Sequence, residues 1–232
     1  MTIALEIEAR GLPTPTRLGS SWRHRRLVLG GHVISDPVAL ARPAMRPRER
    51  DMVTAIMTRS RHLLEFGAGG STTLALKLGV PKVVAVESDP SWIERLEADE
   101  AAARALSDGR LTILHADIGP TLSLGRPAGK RSRSRWPMYA KAPWQIVDTD
   151  TLDVVLIDGR FRLACIMQAV MNVRPDTLIV VHDFWNRPAY HLALNYLDVV
   201  ARVDSLGVFV RKADYNRTLA ELVFSRAAYQ PS

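Results

Sequence analysis

A glycine-rich segment after residue 65 has the residue types that bind charged ends of small molecules. An apolar run ends in Glu65 and Phe66, and the loop that follows is Gly67, Ala68, Gly69, Gly70 and Ser71. Glycine lets the backbone adopt positive φ and come close to a ligand. The helix predicted behind the loop presents unpaired N–H groups and a positive dipole end, which suit a carboxylate or a phosphate. The segment therefore predicts either a ligand site or an ordinary strand-to-helix turn.

An acidic residue follows this loop at an informative interval. Glu87 stands twenty residues past Gly67, at the end of the second apolar run. A carboxylate at that place can accept hydrogen bonds from the hydroxyl groups of a ribose. The loop and the acid together predict a nucleoside-binding α/β domain, but they do not specify the nucleoside.

Two residues bear on which nucleoside is bound. Loops that bind NAD usually have an apolar residue at the position of Glu65 and a third glycine at that of Thr72. A carboxylate beside the loop would repel a pyrophosphate and attract an ammonium group. S-adenosyl-L-methionine has an amino-acid head with both charges and a sulfonium. We therefore favour this cofactor, and a nicotinamide oxidoreductase is the disfavoured alternative.

Polar residues also follow the fourth and fifth apolar runs. Ligands of open α/β sheets bind beyond the carboxyl ends of the strands, so Asp158, His182 and Asp183 are expected beside the ligand and are the candidate catalytic residues. His182 is the candidate general base, because an unperturbed imidazole has a pKa near neutrality. A hydrogen-bonded histidine at a strand end is the alternative. Asp158 and Asp183 could share a divalent cation, but we predict no metal site and favour cofactor contact and helix capping.

Three arginines lie close to these acids in the sequence: Arg160, Arg162 and Arg187. Their guanidinium groups could recognise an acidic acceptor through paired hydrogen bonds. They could equally belong to a solvated face or pair with neighbouring carboxylates. The sequence leaves both interpretations open.

The hydrophobic pattern predicts the elements that position these groups. Near-continuous runs of Val, Ile and Leu alternate with helical patterns, which indicates an α/β domain with a parallel sheet covered on both faces. The predicted strands are 62–66, 83–87, 111–115, 153–157, 178–182, 199–203 and 206–210. The predicted helices are one that begins at Pro47, then 72–78, 91–106, 162–173 and one near 188–197.

Two segments fall outside this alternation. Residues 1–46 are rich in arginine and proline and predict a basic arm with a short hairpin around 27–34, while 47–232 form the domain. Residues 118–150 predict an insert without regular structure, in which basic residues alternate with Trp136, Tyr139 and Trp144. The insert could be a lid over the substrate, a partly disordered loop that packs its aromatic residues locally, or a contact for single-stranded nucleic acid.

Four motifs resemble, in order and spacing, those of the class I S-adenosylmethionine-dependent methyltransferases: EFGAGGST, VVAVESD, LTILHAD and DVVLIDGR. The resemblance covers roughly residues 48–212. Within that superfamily, VLIDGRFRLAC and VVHDF resemble small bacterial methyltransferase-like proteins of unknown acceptor. The resemblance implies a Rossmann-like, doubly wound, mostly parallel seven-stranded sheet with an antiparallel last strand and helices on both faces.

The same resemblance implies how the cofactor is bound. Glu65, Gly67 and Gly69 would hold the methionine part, within the loop that includes Ala68, Gly70 and Ser71. Ser71 stands where the family often has a third glycine.

The remaining cofactor contacts implied by the resemblance lie after later strands. Glu87 would bind the ribose, and Ser88 would lie next to the adenine. Asp117 would meet the amino group of the adenine, and Asp158 would lie near the methionine end.

Composition excludes several classes of protein. With 47% hydrophobic and 24% charged residues among 232, the chain is of ordinary globular composition and not fibrous or disordered. The formal net charge of +7 permits an anionic partner. Cys165 is the single cysteine, predicted to be a buried structural thiol, so a reducing, cytoplasmic location is expected. The start MTIALEIEAR predicts no signal peptide, and no apolar run predicts a membrane helix.

These features predict an S-adenosylmethionine-dependent methyltransferase that acts on a small-molecule acceptor, acidic or saccharide-like. A catalytically inactive module that binds S-adenosylmethionine or RNA is the alternative. Nucleic acid is the less favoured partner and no membrane partner is expected. The sequence predicts neither the acceptor nor the oligomeric state.

Overall fold

The computed structural model describes residues 42–231. The hairpin predicted around residues 27–34, and most of the predicted arm, lie outside the described residues. Helix α1 (Pro47–Met57) begins at the predicted proline, whose fixed φ and missing N–H suit the first turn. The Glu49 carboxylate accepts a 2.9 Å hydrogen bond from the backbone N–H of Arg46 and so closes this end of the helix. The predicted start of the helix is confirmed.

The remaining helices and strands follow α1 in a nearly regular alternation. In chain order they are β1 (His62–Phe66), α2 (Gly70–Lys77), β2 (Lys82–Glu87), α3 (Pro90–Glu97), α4 (Glu100–Ser107), β3 (Leu111–His115), β4 (Thr121–Leu122), β5 (Arg126–Pro127), α5 (Pro137–Lys141), β6 (Val154–Ile157), α6 (Arg162–Asn172), β7 (Leu178–Val181), β8 (Leu197–Val203), β9 (Leu206–Arg211) and α7 (Arg217–Ala227).

Seven of these strands form one sheet in the order β3-β2-β1-β6-β7-β9-β8. Strands β1, β2, β3, β6 and β7 are parallel, and β9 is antiparallel to both β7 and β8. The strand order reverses between β1 and β6, and in open α/β sheets such a reversal opens a crevice at the carboxyl edge. The predicted Rossmann-like, mostly parallel sheet with an antiparallel last strand is confirmed.

The two faces of the sheet pack against different helices. On β1, Leu64 and Phe66 join the core that contains α5, α6 and α7, whereas Leu63 joins the core that contains α1, α2 and α4. All five residues of this strand are buried, as expected for a strand covered on both faces. None of the helices within residues 42–231 has the length and apolar character needed to cross a membrane.

Two predicted helices differ from the structure. Residues 91–106 form not one helix but α3 and α4, because the carboxylate of Asp99 accepts hydrogen bonds from the backbone N–H groups of Ala101 and Ala102 and starts a new helix. The segment near 188–197 is a 3-10 helix, Pro188–Asn195, after which β8 begins. The terminal helix α7 was not predicted from the sequence.

The prediction that residues 118–150 lack regular structure is wrong. The segment contains β4, β5, α5 and short 3-10 turns. Trp136 and Tyr139 are 4% and 1% exposed, and both pack against the ring of Phe161 with centroids 5.7 and 5.6 Å away. Burial of these rings orders the segment, so the structure favours the alternative in which the aromatic residues of the insert pack locally.

Candidate functional site

The glycine loop is held against the end of a neighbouring strand. Gly67 has φ of +94°, and a Cβ atom there would lie 2.6 Å from the Cα and N atoms of Gly159. Its N–H donates to the carbonyl of Val86 at 2.9 Å. Only glycine accommodates both the left-handed backbone and this close approach. The turn after β1 is thereby brought into contact with the backbone that follows Asp158.

The carboxylate of Glu65 lies inside the protein, not in the crevice. Glu65 is fully buried and accepts hydrogen bonds from the hydroxyl of Ser71 and, at 2.6 Å, from that of Thr72. Burial outweighs these hydrogen bonds and raises its pKa to about 8. Glu65 therefore supports the start of α2 and carries little charge at neutral pH. The sequence predicted that a charged Glu65 would repel a pyrophosphate and attract an ammonium group. In this structure Glu65 does not discriminate between them by charge.

Two other groups lie against the loop. The indole N–H of Trp92 donates to the carbonyl of Ala68, and a Cβ atom on Gly69 would lie 3.3 Å from that indole nitrogen. A Cβ atom on Gly70 would collide with the carbonyl oxygen of Arg42. The loop is thus enclosed by α3 on one side and by the chain that leads into α1 on the other.

Glu87 lies at the carboxyl end of β2, as predicted, and is covered by the insert. It is 8% exposed, and one carboxylate oxygen accepts hydrogen bonds from the backbone N–H groups of Ser88 at 2.6 Å and Asp89 at 2.9 Å. A Cβ atom on Gly125 would lie 2.7 Å from the Ser88 hydroxyl and 3.1 Å from this oxygen. Burial raises the pKa of Glu87 above its ordinary value. The carboxylate expected to bind a ribose therefore lies under the segment that contains Gly125.

Asp117 follows β3 and is also contacted by the insert. Its carboxylate forms an ion pair with the guanidinium of Arg135 and accepts a 2.9 Å hydrogen bond from the backbone N–H of Gly119. The side chains of Asp117 and Arg135 are 55% and 49% exposed. A nucleobase at this position would compete with Arg135 for the carboxylate.

A charged cluster stands where β6 and β7 end. Arg162, 8% exposed, donates to Asp158 at 2.9 Å and to the backbone carbonyl of His182 at 2.5 Å. It also lies 3.5 Å from a carboxylate oxygen of Asp183. Arg162 is thus paired internally, and of the two interpretations of this residue the structure favours the pairing with acids.

The imidazole of His182 lies between two carboxylates. Nδ1 is 2.8 Å from Asp158 and Nε2 is 3.4 Å from Glu49. Both contacts can be hydrogen bonds only if the ring is doubly protonated. Burial lowers the pKa of His182, but the hydrogen bond and the charge of Asp158 outweigh it and raise the pKa above its ordinary value. Nδ1 of His182 is engaged by Asp158 and Nε2 faces Glu49, and the role of His182 as a base remains a prediction.

Glu49 completes this cluster and was missed in the sequence analysis. It is 0% exposed and accepts hydrogen bonds from the backbone N–H and hydroxyl of Ser205, at 2.9 and 2.6 Å. These contacts, together with the N–H of Arg46 and the charge of His182, outweigh burial and lower its pKa. An acid in the first turn after Pro47 signals a helix cap, but its distant partners Ser205 and His182 leave no local signal.

Asp183 is placed by an unusual backbone. Its φ of +58° is in the left-handed region, which aspartate tolerates better than most residues. Its carboxylate accepts hydrogen bonds from Asn186 at 3.1 Å and Arg187 at 3.0 Å. Asp183 therefore anchors the turn after β7 through side-chain contacts and does not cap the 3-10 helix that follows, whose N-cap is Arg187.

Metal ligation finds no support in the described part of the chain. No group of three or more His, Cys, Asp or Glu side chains within residues 42–231 is arranged to hold a metal ion. Cys165 is buried on α6, and burial raises the pKa of its thiol well above the ordinary value. The cysteine is a structural thiol, as expected from the sequence.

The predicted groups occupy one edge of the sheet in a definite order. Passing from β3 through β2 and β1 to β6 and β7, the carboxyl ends present Asp117, Glu87, the glycine loop, Asp158 and His182. The glycine loop and the positions of the two acids fit a nucleoside with an amino-acid tail. At the nucleoside end, Gly125 lies against Glu87 and Arg135 pairs with Asp117.

Comparison with known proteins supports the same fold. No family model and no curated protein matches the chain. The crystal structure of a methyltransferase-like protein from Silicibacter pomeroyi is similar, with 26% identity and a TM-score of 0.71, over 82% of this chain and 99% of that one. Cofactor-bound Rv0187 from MTB shares 18% identity, with a TM-score of 0.49, over 74% and 83%. The O-methyltransferase TomG from Streptomyces achromogenes, in complex with SAM, shares 13%, with a TM-score of 0.46, over 71% and 81%.

Of these three similarities, the one to the methyltransferase-like protein has the highest TM-score. It spans nearly the whole of the methyltransferase-like protein and more than four-fifths of this chain. The sheet of this chain, mostly parallel with one antiparallel strand, is that of Rossmann-like methyltransferase folds. The resemblance predicted from the motifs is therefore confirmed: the chain has the fold of the class I S-adenosylmethionine-dependent methyltransferases.

Proposed function

We propose that the protein transfers a methyl group from S-adenosyl-L-methionine to a small-molecule acceptor, acidic or saccharide-like. The observation that carries this proposal is the row of groups along the carboxyl edge, in the order Asp117, Glu87, glycine loop and Asp158. An extended cofactor would place its adenine near Asp117, its ribose near Glu87, and its methionine part near the glycine loop and Asp158. The ends of β6 and β7 then remain for the acceptor.

The cofactor supplies an electrophilic methyl group bound to a sulfonium. The N–H groups at the start of α2 would bind the methionine carboxylate, because they lie at the positive end of the helix dipole. Asp158 would attract the ammonium group. Glu87 would accept hydrogen bonds from the ribose hydroxyls once the segment that contains Gly125 moves away from it. These residues would hold the cofactor by both ends, and the ends of β6 and β7 would remain for the acceptor.

Alignment carries most of the catalysis in this proposal. A displacement at a methyl group requires the nucleophile in line with the leaving group, and fixed geometry alone can accelerate such a step greatly. Asp158, His182 and Asp183 stand beside the acceptor position. His182 could accept a proton only after it loses its contact with Asp158 or with Glu49. We expect His182→Ala to abolish transfer while cofactor affinity changes less than about threefold.

The alternative is a catalytically inactive module that binds S-adenosylmethionine or RNA. The observation in its favour is that Gly125 covers Glu87 and that Arg135 pairs with Asp117. Exposed cations of the insert, Lys130, Arg131 and Arg133, could contact phosphates.

Isothermal titration calorimetry of the full chain separates these functions. The proposal predicts binding of S-adenosylmethionine in the micromolar range, no binding of NAD, and no effect of an RNA oligomer. Binding of RNA alone, weakening steeply with added salt, would establish the module instead. Binding of NAD without S-adenosylmethionine would contradict both. Turnover is then tested by mass spectrometry, as S-adenosylhomocysteine formed only when acceptor candidates are present.

A further inference from the structure

One cation at the carboxyl edge lacks a counter-ion. Among residues 42–231, neighbouring arginines all have carboxylate partners: Arg162 pairs with Asp158 and Asp183, and Arg187 pairs with Asp183. Arg160 has no carboxylate within 4.0 Å in this part of the chain, although its side chain is partly buried. A partly buried charge without a partner is costly, so a feature of this kind calls for a ligand.

The orientation of Arg160 leaves one edge of its guanidinium available. Nε donates to the carbonyl of Leu124 at 2.7 Å, and the backbone N–H of Arg160 donates to the Tyr139 hydroxyl at 3.3 Å. The two terminal nitrogens of the Arg160 guanidinium donate no hydrogen bond to an acceptor among residues 42–231. These atoms form the edge that pairs with a carboxylate or a phosphate through two parallel hydrogen bonds. The contact with Leu124 fixes the plane of the group in advance.

The surroundings of Arg160 are positively charged. Arg162 and Arg187 contact the same oxygen of Asp183, at 3.5 and 3.0 Å, so two further guanidinium groups stand at this edge. Burial lowers the pKa of Arg160, and the charges of Arg162 and Arg187 lower it further. Three guanidinium groups, those of Arg160, Arg162 and Arg187, therefore stand near the two carboxylates of Asp158 and Asp183. Arg160 is the one of these three without a carboxylate partner among residues 42–231, so an anionic ligand would complete its pairing.

We propose that the methyl acceptor carries an anionic group, a carboxylate or a phosphate, and that Arg160 binds this group beside Arg187. The inference rests on the proposed function, because it places the acceptor beyond β6 and β7. It narrows the acceptor from an acidic or a saccharide-like molecule to one that carries an anionic group. Arg160 is then a specificity-determining residue that contacts substrate.

The test compares sugars that differ in charge. Binding of D-glucuronate, D-glucose 6-phosphate and D-glucose is measured by calorimetry on the full chain, with and without saturating S-adenosylhomocysteine. We expect at least one charged sugar to bind at least tenfold more tightly than glucose. Arg160→Gln should abolish this preference, and Arg160→Lys should retain part of it. Equal binding of the three sugars, or a preference that persists in Arg160→Gln, would overturn the proposal.

A matched control removes the same charge elsewhere. Arg59 is exposed and precedes the amino end of β1, at the opposite edge of the sheet from Arg160. Arg59→Gln should keep the full preference for the charged sugars. If Arg160→Gln fails to fold, as judged by circular dichroism, the wild-type chain still decides whether an anionic sugar is preferred, and Arg160→Lys tests whether Arg160 is responsible.

A second comparison separates the acceptor from the cofactor as the source of the anion. S-adenosylhomocysteine has a carboxylate, whereas 5′-methylthioadenosine has the same nucleoside without it. We expect Arg160→Gln to change the affinity for each by less than twofold. A loss confined to S-adenosylhomocysteine would show that Arg160 binds the cofactor and would overturn the acceptor assignment. If the wild-type chain binds neither nucleoside, the proposed function fails, and the sugar comparison without nucleoside still tests Arg160.

Discussion

The two ends of the candidate cofactor crevice are built in different ways. The methionine end consists of the glycine loop, backed by Glu65, and the backbone after Asp158, all of which follow directly from buried parallel strands. At the nucleoside end, Glu87 and Asp117 also follow strands, but Gly125 and Arg135 of the insert contact them. The methionine end is preformed by backbone geometry. At the nucleoside end, a ligand would have to replace the contacts that Gly125 and Arg135 make with the two acids. Binding at the nucleoside end should therefore be weaker than its residues suggest.

The largest effect is expected at the preformed end, from Gly67→Ala. A Cβ atom there would lie 2.6 Å from backbone atoms of Gly159, which cannot move without disturbing β6. Positive φ alone costs an alanine roughly 1–2 kcal/mol, and overpacking adds about 1–3 kcal/mol. We expect a large loss of unfolding free energy in urea and no measurable binding of S-adenosylmethionine by calorimetry.

Gly79→Ala is the matched control for this substitution. Gly79 has a similar φ of +80°, but a Cβ atom there meets nothing within 4 Å. Gly79→Ala should lower the unfolding free energy only by the cost of positive φ and should leave cofactor binding unchanged. Equal destabilisation by the two substitutions would mean that the contact between Gly67 and Gly159 is not structurally important.

The next effect concerns the ribose carboxylate. Glu87→Ala should weaken binding of S-adenosylmethionine more than tenfold, because hydrogen bonds to a charged group contribute about 1.5–3 kcal/mol. Glu94 on α3 is exposed, and Glu94→Ala should leave the affinity unchanged. Calorimetry measures both, after circular dichroism shows that each variant is folded. Unchanged affinity in Glu87→Ala would mean that the covering segment never leaves this carboxylate.

The same difference between the two ends explains which features the sequence could predict. The strands, the loop and the positions of Glu87 and Asp158 depend on residues near in sequence, and they were predicted to within about two residues. The partners of those residues depend on distant segments. Nothing near Glu49 indicates that it faces His182, and nothing near Arg135 indicates Asp117. The insert was misread because Trp136 and Tyr139 show no helical or strand period, although burial of their rings orders the segment.

A pH dependence tests whether Glu65 is a structural group of the preformed end. Its pKa is about 8 in the folded protein, against 4.5 as the ordinary value, because of burial. The folded state therefore binds a proton that the unfolded chain releases, and stability is lost as pH rises from about 4.5 to 8. Glu65→Gln mimics the protonated form, so its unfolding free energy relative to wild type should improve across this range in urea titrations. A constant difference between the two proteins would contradict the buried, protonated carboxyl.

The smallest effect is expected where the insert meets the nucleoside end. The pair between Arg135 and Asp117 is about half exposed, and exposed ion pairs contribute about 0.2–1 kcal/mol. If the adenine must displace Arg135, Arg135→Ala should raise the affinity for S-adenosylmethionine by about 1.4- to 5-fold, and added salt should reduce the difference. Arg131 is exposed in the same insert and has no ion pair among the described residues, so Arg131→Ala serves as the control. A lower affinity in Arg135→Ala would reverse this interpretation: Arg135 would then stabilise the bound nucleoside, and the nucleoside end would be preformed like the methionine end.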